Sequence, residues 1–292
     1  MPPSSIGSLP LKWHGGKTYL AKWLIDLFPP HTHYVEPFFG GGSVLFSKPN
    51  SLVEGHSEVI NDLNGELTNF WQVLRDPGHF AEFTRQVEAT PFSNVEFDAA
   101  CELQASDPVQ RAWAFFVRYR QSRQGLGTVF ATTSRSRTRR GMNEQVSSWL
   151  SAVEGLPEIH SRIKRVLIFN EDACKVLRHE DSPHTFFYLD PPYVHETRTA
   201  KQCYEFEMDQ EHHKKLLDVL SELSGKFLLS GYPHPLYDQY AERLGWHCEK
   251  LEIDNKASSL KEKPIKTECA WMNYKPTIVP ASPASKPEQL FS

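Results

Sequence analysis

The stretch FFYLDPPYV (residues 186–194) sets an apolar run against an acid, two prolines and a tyrosine. Residues 186–189 have the length and composition of a strand buried on both faces, as found in mostly parallel sheets. The abrupt end admits two readings. It is either an ordinary proline turn closing a buried strand, or a platform offering a carboxylate and a ring to a ligand. Proline fixes φ and lacks an N–H, so the turn is stiff and leaves carbonyls free for outside donors. The tetrapeptide alone favours the first reading; its neighbours decide.

Working outward, RVLIFN (165–170) and KFLLSGY (226–232) are further apolar runs of strand length. HYVEPF (33–38) and EVINDLN (58–64) read as strands that end in acids. Between them lie helical patterns. Residues 65–74 carry Leu67, Phe70, Trp71 and Leu74 at helical spacing, and residues 210–223 carry Leu216, Leu217, Leu220 and Leu223. Strand and helix in alternation predict a doubly wound α/β fold with a mostly parallel sheet. The rhythm breaks over residues 91–162, where a helix around RAWAFFVRYR, a polar stretch and a further helix near 143–153 read as an inserted, mainly helical and loop subdomain. The expected organisation is therefore a catalytic domain from 11–90 and 163–276, the insertion at 91–162, and Pro/Ser-rich tails at 1–10 and 277–292.

The bulk composition narrows the function classes. Across 292 residues the apolar fraction is 39% and the net charge −4, so attraction to a polyanion must come from local clusters. Five widely spaced cysteines form no C-x-x-C pair, which argues against a zinc site or a disulfide framework. With no secretory pattern and no run near the ~18 apolar residues of a membrane span, a soluble cytoplasmic protein is expected.

The acids fall where an α/β sheet presents ligands. YVEPFFGGGSVLF (34–46) puts Glu36 and a glycine cluster at a strand end, where a tight turn and free helix N–H groups suit a ligand, although the G-x-G-x-x-G spacing is lacking. Asp62 of NDLN, roughly twenty residues on, stands where ribose hydroxyls are commonly bound. Asp172 of NEDAC ends another strand and suits an adenine amino group. Asp190 is an acceptor when ionised, the proline carbonyls are further acceptors, and Tyr193 offers a flat face. An exocyclic amine needs two acceptors and a wall for its ring, and DPPY holds all three. KWHGGK (12–17) reads by itself as a solvated helix start.

Taken in order, KWHGGK, VEPFFGGGSVLF, NDLN, FNEDA, FFYLDPPY and the closing TECAWMNYKP (267–276) resemble the Dam-type DNA adenine-N6 methyltransferases. The resemblance covers roughly residues 11–85 and 165–274 and implies a Rossmann-like fold that uses S-adenosylmethionine (AdoMet). By motif position it implies that Trp13, Lys17, Glu36, Pro37, Phe38, Gly40, Gly42, Asp62, Asp172 and Asp190 hold AdoMet, with Lys12 and Trp13 closing over it. Asp190 and Pro191, stiffened by Pro192, would hold the target amine, and Tyr193 would stack on the flipped base. No metal is implied. Two alternatives share the fold: a cytosine-N4 methyltransferase, whose tetrapeptide more often begins with Ser, and a DNA-binding protein with an inactive fold. Methylation of RNA is a third.

Residues 108–143 contain no Asp or Glu but eight arginines. Among these Arg118, Arg120, Arg123, Arg135, Arg137, Arg139 and Arg140 are the candidate DNA contacts, because arginine interleaved with Ser and Thr suits phosphates and guanine edges. This segment departs from the family pattern, since VRYRQSRQGLGTVF replaces the usual Asn-Gly-centred hairpin and Arg-Tyr-Asn run. His31 and His33 read as a polar lead-in to a strand, His212 and His213 as surface residues, and Arg198 and Tyr204 as a loop over the base.

Overall fold

Alternation of strand and helix around one buried strand organises the molecule. The computed structural model describes residues 8–13, 15–49, 56–131, 136–193, 208–254 and 265–277. Chain order begins α1 (Ala21–Asp26), β1 (His33–Glu36), α2 (Ser43–Ser47), β2 (Ser57–Asn61), α3 (Gly65–Arg75), α4 (Pro77–Glu88), α5 (Asn94–Glu102) and α6 (Pro108–Gln121). It continues β3 (Thr138–Arg139), β4 (Met142–Asn143), α7 (Glu144–Glu154), α8 (Leu156–Ile163), β5 (Leu167–Phe169), α9 (Ala173–His179) and β6 (Thr185–Leu189). The last elements are α10 (Gln210–Glu222), β7 (Lys226–Gly231), α11 (Pro235–Leu244), β8 (His247–Asp254) and β9 (Ile265–Met272).

The seven-stranded sheet has the order β5-β2-β1-β6-β7-β9-β8. The pairs from β5 to β7 are parallel, whereas β9 runs antiparallel to β7 and to β8. Both faces of β6 are covered, which is why its sequence is continuously apolar. Phe186 and Tyr188 join Tyr34 and Leu228 in one core, and Phe187 and Leu189 join Val35, Leu216 and Leu217 in the other. Burying a side chain of this size stabilises by roughly 1.5–3 kcal/mol. The strand is thus a firm base for the polar turn that follows it.

The chain winds outward from β1 to β2 and β5, then crosses back to place β6 on the other side of β1. This reversal opens a crevice at the carboxyl ends of β1 and β6, where open α/β sheets bind ligands. The sequence expectation of a doubly wound, mostly parallel α/β sheet holds.

The helices of the expected insertion are not a detached body. Asp107 caps α6 by accepting from the Gln110 amide at 2.8 Å, and Pro108 opens the helix without leaving an unpaired N–H. The Phe116 ring lies 6.0 Å from Phe70 on α3, 5.7 Å from Phe83 on α4 and 5.1 Å from Trp149 on α7. These helices share one core with a face of the sheet. Where the chain returns to the sheet, buried Arg162 donates to Glu58 of β2 at 2.8 Å, and Lys48 pairs with the same carboxylate at 3.0 Å. Among the described residues no helix is long and apolar enough to cross a membrane.

Candidate active site and nucleic-acid face

Asp190 leaves the end of β6 at the crevice, and its orientation is fixed from two directions. Ser230, near the end of neighbouring β7, donates to its Oδ1 at 3.2 Å, and the Lys17 ammonium lies 2.9 Å from the same oxygen. Lys17 is only 5% exposed, and its backbone N–H donates to Ser43 Oγ at 2.9 Å. The ammonium also stands 4.5 Å from the centre of the Tyr193 ring, a cation–π distance. Pro191 is buried and Pro192 half-buried. Lys17, remote in sequence, meets Asp190 and Tyr193 of this turn in one cluster.

A fourth member escaped the sequence reading. Glu268 of β9 is 1% exposed, accepts from the Tyr193 hydroxyl at 2.5 Å and lies 3.6 Å from Lys17 Nζ. Burial raises its carboxyl above the ordinary range, opposed by Lys17 and by the Tyr193 hydrogen bond. Its place follows from register. Cys269 is paired with Gly231 at the carboxyl end of β7, so antiparallel β9 carries Glu268 just beyond that end. The one available signal was an acid embedded in the apolar run TECAWM. Ser230 gave no comparable signal, since a serine inside a strand is unremarkable.

Along the sheet edge, the Asp62 carboxylate accepts from the Gly40 amide at 2.9 Å and the Asn64 amide at 3.0 Å. Burial raises its pKa, and those backbone hydrogen bonds oppose the shift. The glycine turn is packed from outside by Trp13. A Cβ on Gly40 would meet Trp13 Nε1 at 2.6 Å, and one on Gly41 would meet Trp13 Cβ at 2.6 Å. Gly40 (φ 51°) and Gly42 (φ 72°) also hold left-handed backbone. The close approach that Gly40 and Gly41 permit is that of an indole from this chain, and Phe39 and Phe46 fill the space at Gly42.

Glu36 is buried and accepts from the Tyr34 hydroxyl at 3.0 Å, with burial pushing its carboxyl well up. The Pro37 carbonyl accepts from Asn61 at 3.0 Å, and Phe38 is half-buried against the second core. Asp172 is exposed and caps α9 by accepting from the Lys175 amide at 3.2 Å. Lys12 and Trp13 strap the crevice to the helices. The indole stacks on Tyr119 with centroids 5.1 Å apart, and Lys12 Nζ donates to Gln145 on α7 at 2.9 Å. Burial first, then neighbouring Arg120, lowers the Lys12 pKa to about 8.

The arginines divide in two. Arg123, Arg137, Arg139 and Arg140 are exposed, Arg118 is half-buried, and Arg135 lies outside the described residues. Arg120 corrects the expectation of a DNA contact. It is 5% exposed, its guanidinium donates to the Ser148 carbonyl and hydroxyl, and burial lowers its pKa to about 10. Its place on the inward face of α6 makes it a tie to α7. The lack of counter-acids within the segment is also corrected by the fold. Glu66 pairs with Arg111 at 2.6 Å, Glu144 lies 3.8 Å from Arg137, and Glu154 pairs with Arg140 at 2.9 Å.

The loop after α6 supplies a turn where an Asn-Gly pair was missing. Gln124 (φ 57°) and Gly125 (φ 70°) are both left-handed, and the Arg123 amide donates across the loop to the Val129 carbonyl at 2.8 Å. A Cβ on Gly125 would stand 2.0 Å from the Lys12 carbonyl, so this loop is seated on the same strap. His213 is a further correction: it is fully buried, with Nδ1 2.7 Å from the Tyr237 hydroxyl, because α10 turns that position inward. His212 remains exposed. His33 sits 2.9 Å from Glu180, and no group of three metal-ligating side chains occurs among the described residues. Arg198 and Tyr204 lie outside the described residues.

Comparison with known proteins gives the family of the chain. The chain is 26% identical over 281 residues to the Type II methyltransferase M1.LlaDCHI of Lactococcus lactis subsp. cremoris, covering 90% of this chain and 94% of that protein. It is 24% identical over 288 residues to the DNA adenine methylase of Escherichia coli (strain K12), covering 94% and 98% of the two chains. It is also 24% identical over 249 residues to the Type II methyltransferase M.MjaIII of Methanocaldococcus jannaschii, covering 75% and 82%. The family model of the D12 class N6 adenine-specific DNA methyltransferases matches residues 13–253, from the tryptophan of the strap to the end of β8, and the chain belongs to that family.

Proposed function

We propose that this chain binds AdoMet along the carboxyl edge of the sheet and methylates N6 of an adenine swung out of DNA. One observation carries the reading: Asp190, at the end of the buried strand, has its Oδ1 held by Lys17 and Ser230 beside the Tyr193 ring. A carboxylate whose orientation is fixed through one oxygen can accept one hydrogen of an exocyclic amine through the other. The Pro191 carbonyl would accept the second, and Tyr193 would wall the ring.

The residues fit AdoMet as the methyl donor. A part-buried carboxylate at Asp62, oriented by two backbone amides, suits a ribose, and the buried ammonium beside Asp190 is already matched by acids. That donor set favours a nucleoside without phosphates. AdoMet, when bound, supplies an activated methyl group on a cationic sulfur. Asp190 draws N6 toward tetrahedral geometry and stabilises the positive charge that develops on it. Fixing the amine in line supplies much of the remaining acceleration. Extruding the base costs a few kcal/mol, which contacts from Arg123, Arg137, Arg139 and Arg140 to phosphates would offset.

The test is to treat DNA and RNA with the protein and AdoMet and analyse the nucleosides by mass spectrometry. N6-methyladenine in DNA is expected. N4-methylcytosine alone, modification confined to RNA, or no transfer by a folded protein would overturn the reading.

A further inference from the structure

Glu268 poses a problem that the transfer of a methyl group does not by itself answer. A buried carboxylate is costly to desolvate, and the amide oxygen of a glutamine there would also accept the Tyr193 hydrogen bond. Lys17 does not require it either, since Asp190 already stands 2.9 Å away, closer than the 3.6 Å to Glu268. What Glu268 adds is a second carboxylate, whose charged form is favoured against burial by the Lys17 ammonium 3.6 Å away and by the Tyr193 hydroxyl that donates to it. Among the described residues of this cluster two carboxylates face one ammonium, a formal excess of one negative charge. The next cation along β9, Lys266, is turned to Tyr232, with Nζ 3.4 Å from its hydroxyl and 5.0 Å from its ring centre.

We infer that Glu268 is a positioning residue that fixes the Tyr193 ring and keeps the crevice net negative, so that a sulfonium nucleoside is held in preference to its neutral thioether product. This rests on the AdoMet reading above. The physical basis is simple: AdoMet and S-adenosylhomocysteine (AdoHcy) share their adenosine and amino-acid parts and differ by a methyl group and one positive charge. A nearby carboxylate shielded from water acts on that difference, whereas shape and ribose contacts act on both ligands alike. Discharge of the sulfur on transfer then weakens retention of the product.

Calorimetric titration of the full chain with each ligand tests this without reading activity. Glu268→Gln keeps the shape and the acceptor for Tyr193. It should weaken AdoMet on the order of tenfold while AdoHcy moves by less than about twofold. Equal shifts for both ligands, or no shift, would overturn the charge role. Tyr193→Phe removes the hydroxyl but keeps the charge, so the AdoMet-to-AdoHcy ratio should stay at its wild-type value; a collapsed ratio would move the effect to the hydroxyl and sink the inference. A measurement needing no variant is the amine-bearing analogue sinefungin, cationic at the equivalent position, which should out-bind AdoHcy in the wild type. The reverse order counts against the inference. Wild-type protein that binds none of these ligands would instead defeat the AdoMet reading, and the inference with it.

Discussion

The crevice at the end of β6 and the arginine-bearing loops after α6 both carry paired charges, but under opposite conditions. Lys17 and Glu268 are 5% and 1% exposed and, with Asp190 and Tyr193, form a cluster in which each group limits the freedom of the others. Arg137, Arg139 and Arg140 are exposed, and where they meet an acid they do so at the surface. In the crevice, low dielectric makes each pairing strong and each loss costly. On the loops, water and salt screen the pairs, so their acids are readily exchanged for phosphates. Buried charge is suited to holding reacting atoms, and exposed charge to capturing a polyanion.

The comparison is most easily broken at Asp190. Asp190→Ala should lower the methyl-transfer rate by about 10²–10³-fold or more. DNA binding in a gel-shift assay should stay within about threefold of wild type, because the exposed arginines proposed to meet phosphates are left in place. Substantial turnover in that variant would remove the buried cluster from the chemistry. Arg120 and its exposed counterparts sharpen the contrast within a single residue type. Arg120→Gln should cost about 1–3 kcal/mol in denaturant unfolding, because it leaves Ser148 unpaired in the interior. The salt dependence of DNA binding should be unchanged in that variant.

Replacing Arg137, Arg139 and Arg140 together should do the reverse. Stability should hold, and the slope of log affinity against log salt should flatten by about one unit for each arginine that reaches a phosphate. An unchanged slope would take this hairpin out of the interface. A pH effect is expected at Lys12, whose pKa burial and neighbouring Arg120 lower from 10.5 to about 8 in the folded protein. The folded state binds fewer protons between those values, so stability rises with pH across that window and the penalty for the buried charge is fully present below it. Lys12→Met should remove this rise, as chemical melts at about pH 7.5 and pH 10 would show.

Much of the crevice was legible because its residues sit at strand ends that follow apolar runs. Asp62 and Asp190 are found by reading where each run stops, and Lys17 by its motif. Glu268 was not, because β9 runs antiparallel and its position depends on pairing Cys269 with Gly231, a register that no local pattern states. Arg120 and His213 were misread for a related reason. Composition marks a residue as polar, but the rotation of α6 and α10 against their neighbours decides which polar residues turn inward. The counter-acids lie outside the acid-free segment: Glu66 reaches it from α3, whereas Glu144 and Glu154 meet it where the β3–β4 turn folds back on α7.

By itself the sequence determined the α/β alternation, the buried strand ahead of Asp190 and the family resemblance carried by the ordered motifs. These are local or sequential properties, fixed by periodicity and by which residue follows which. Tertiary structure alone decided that Lys17 is shared between Asp190 and Glu268, that Trp13 fills the space Gly40 and Gly41 leave, and that Arg120 ties two helices together. Such facts depend on distances between segments remote in the chain, and those distances are set by how the two cores close on the sheet.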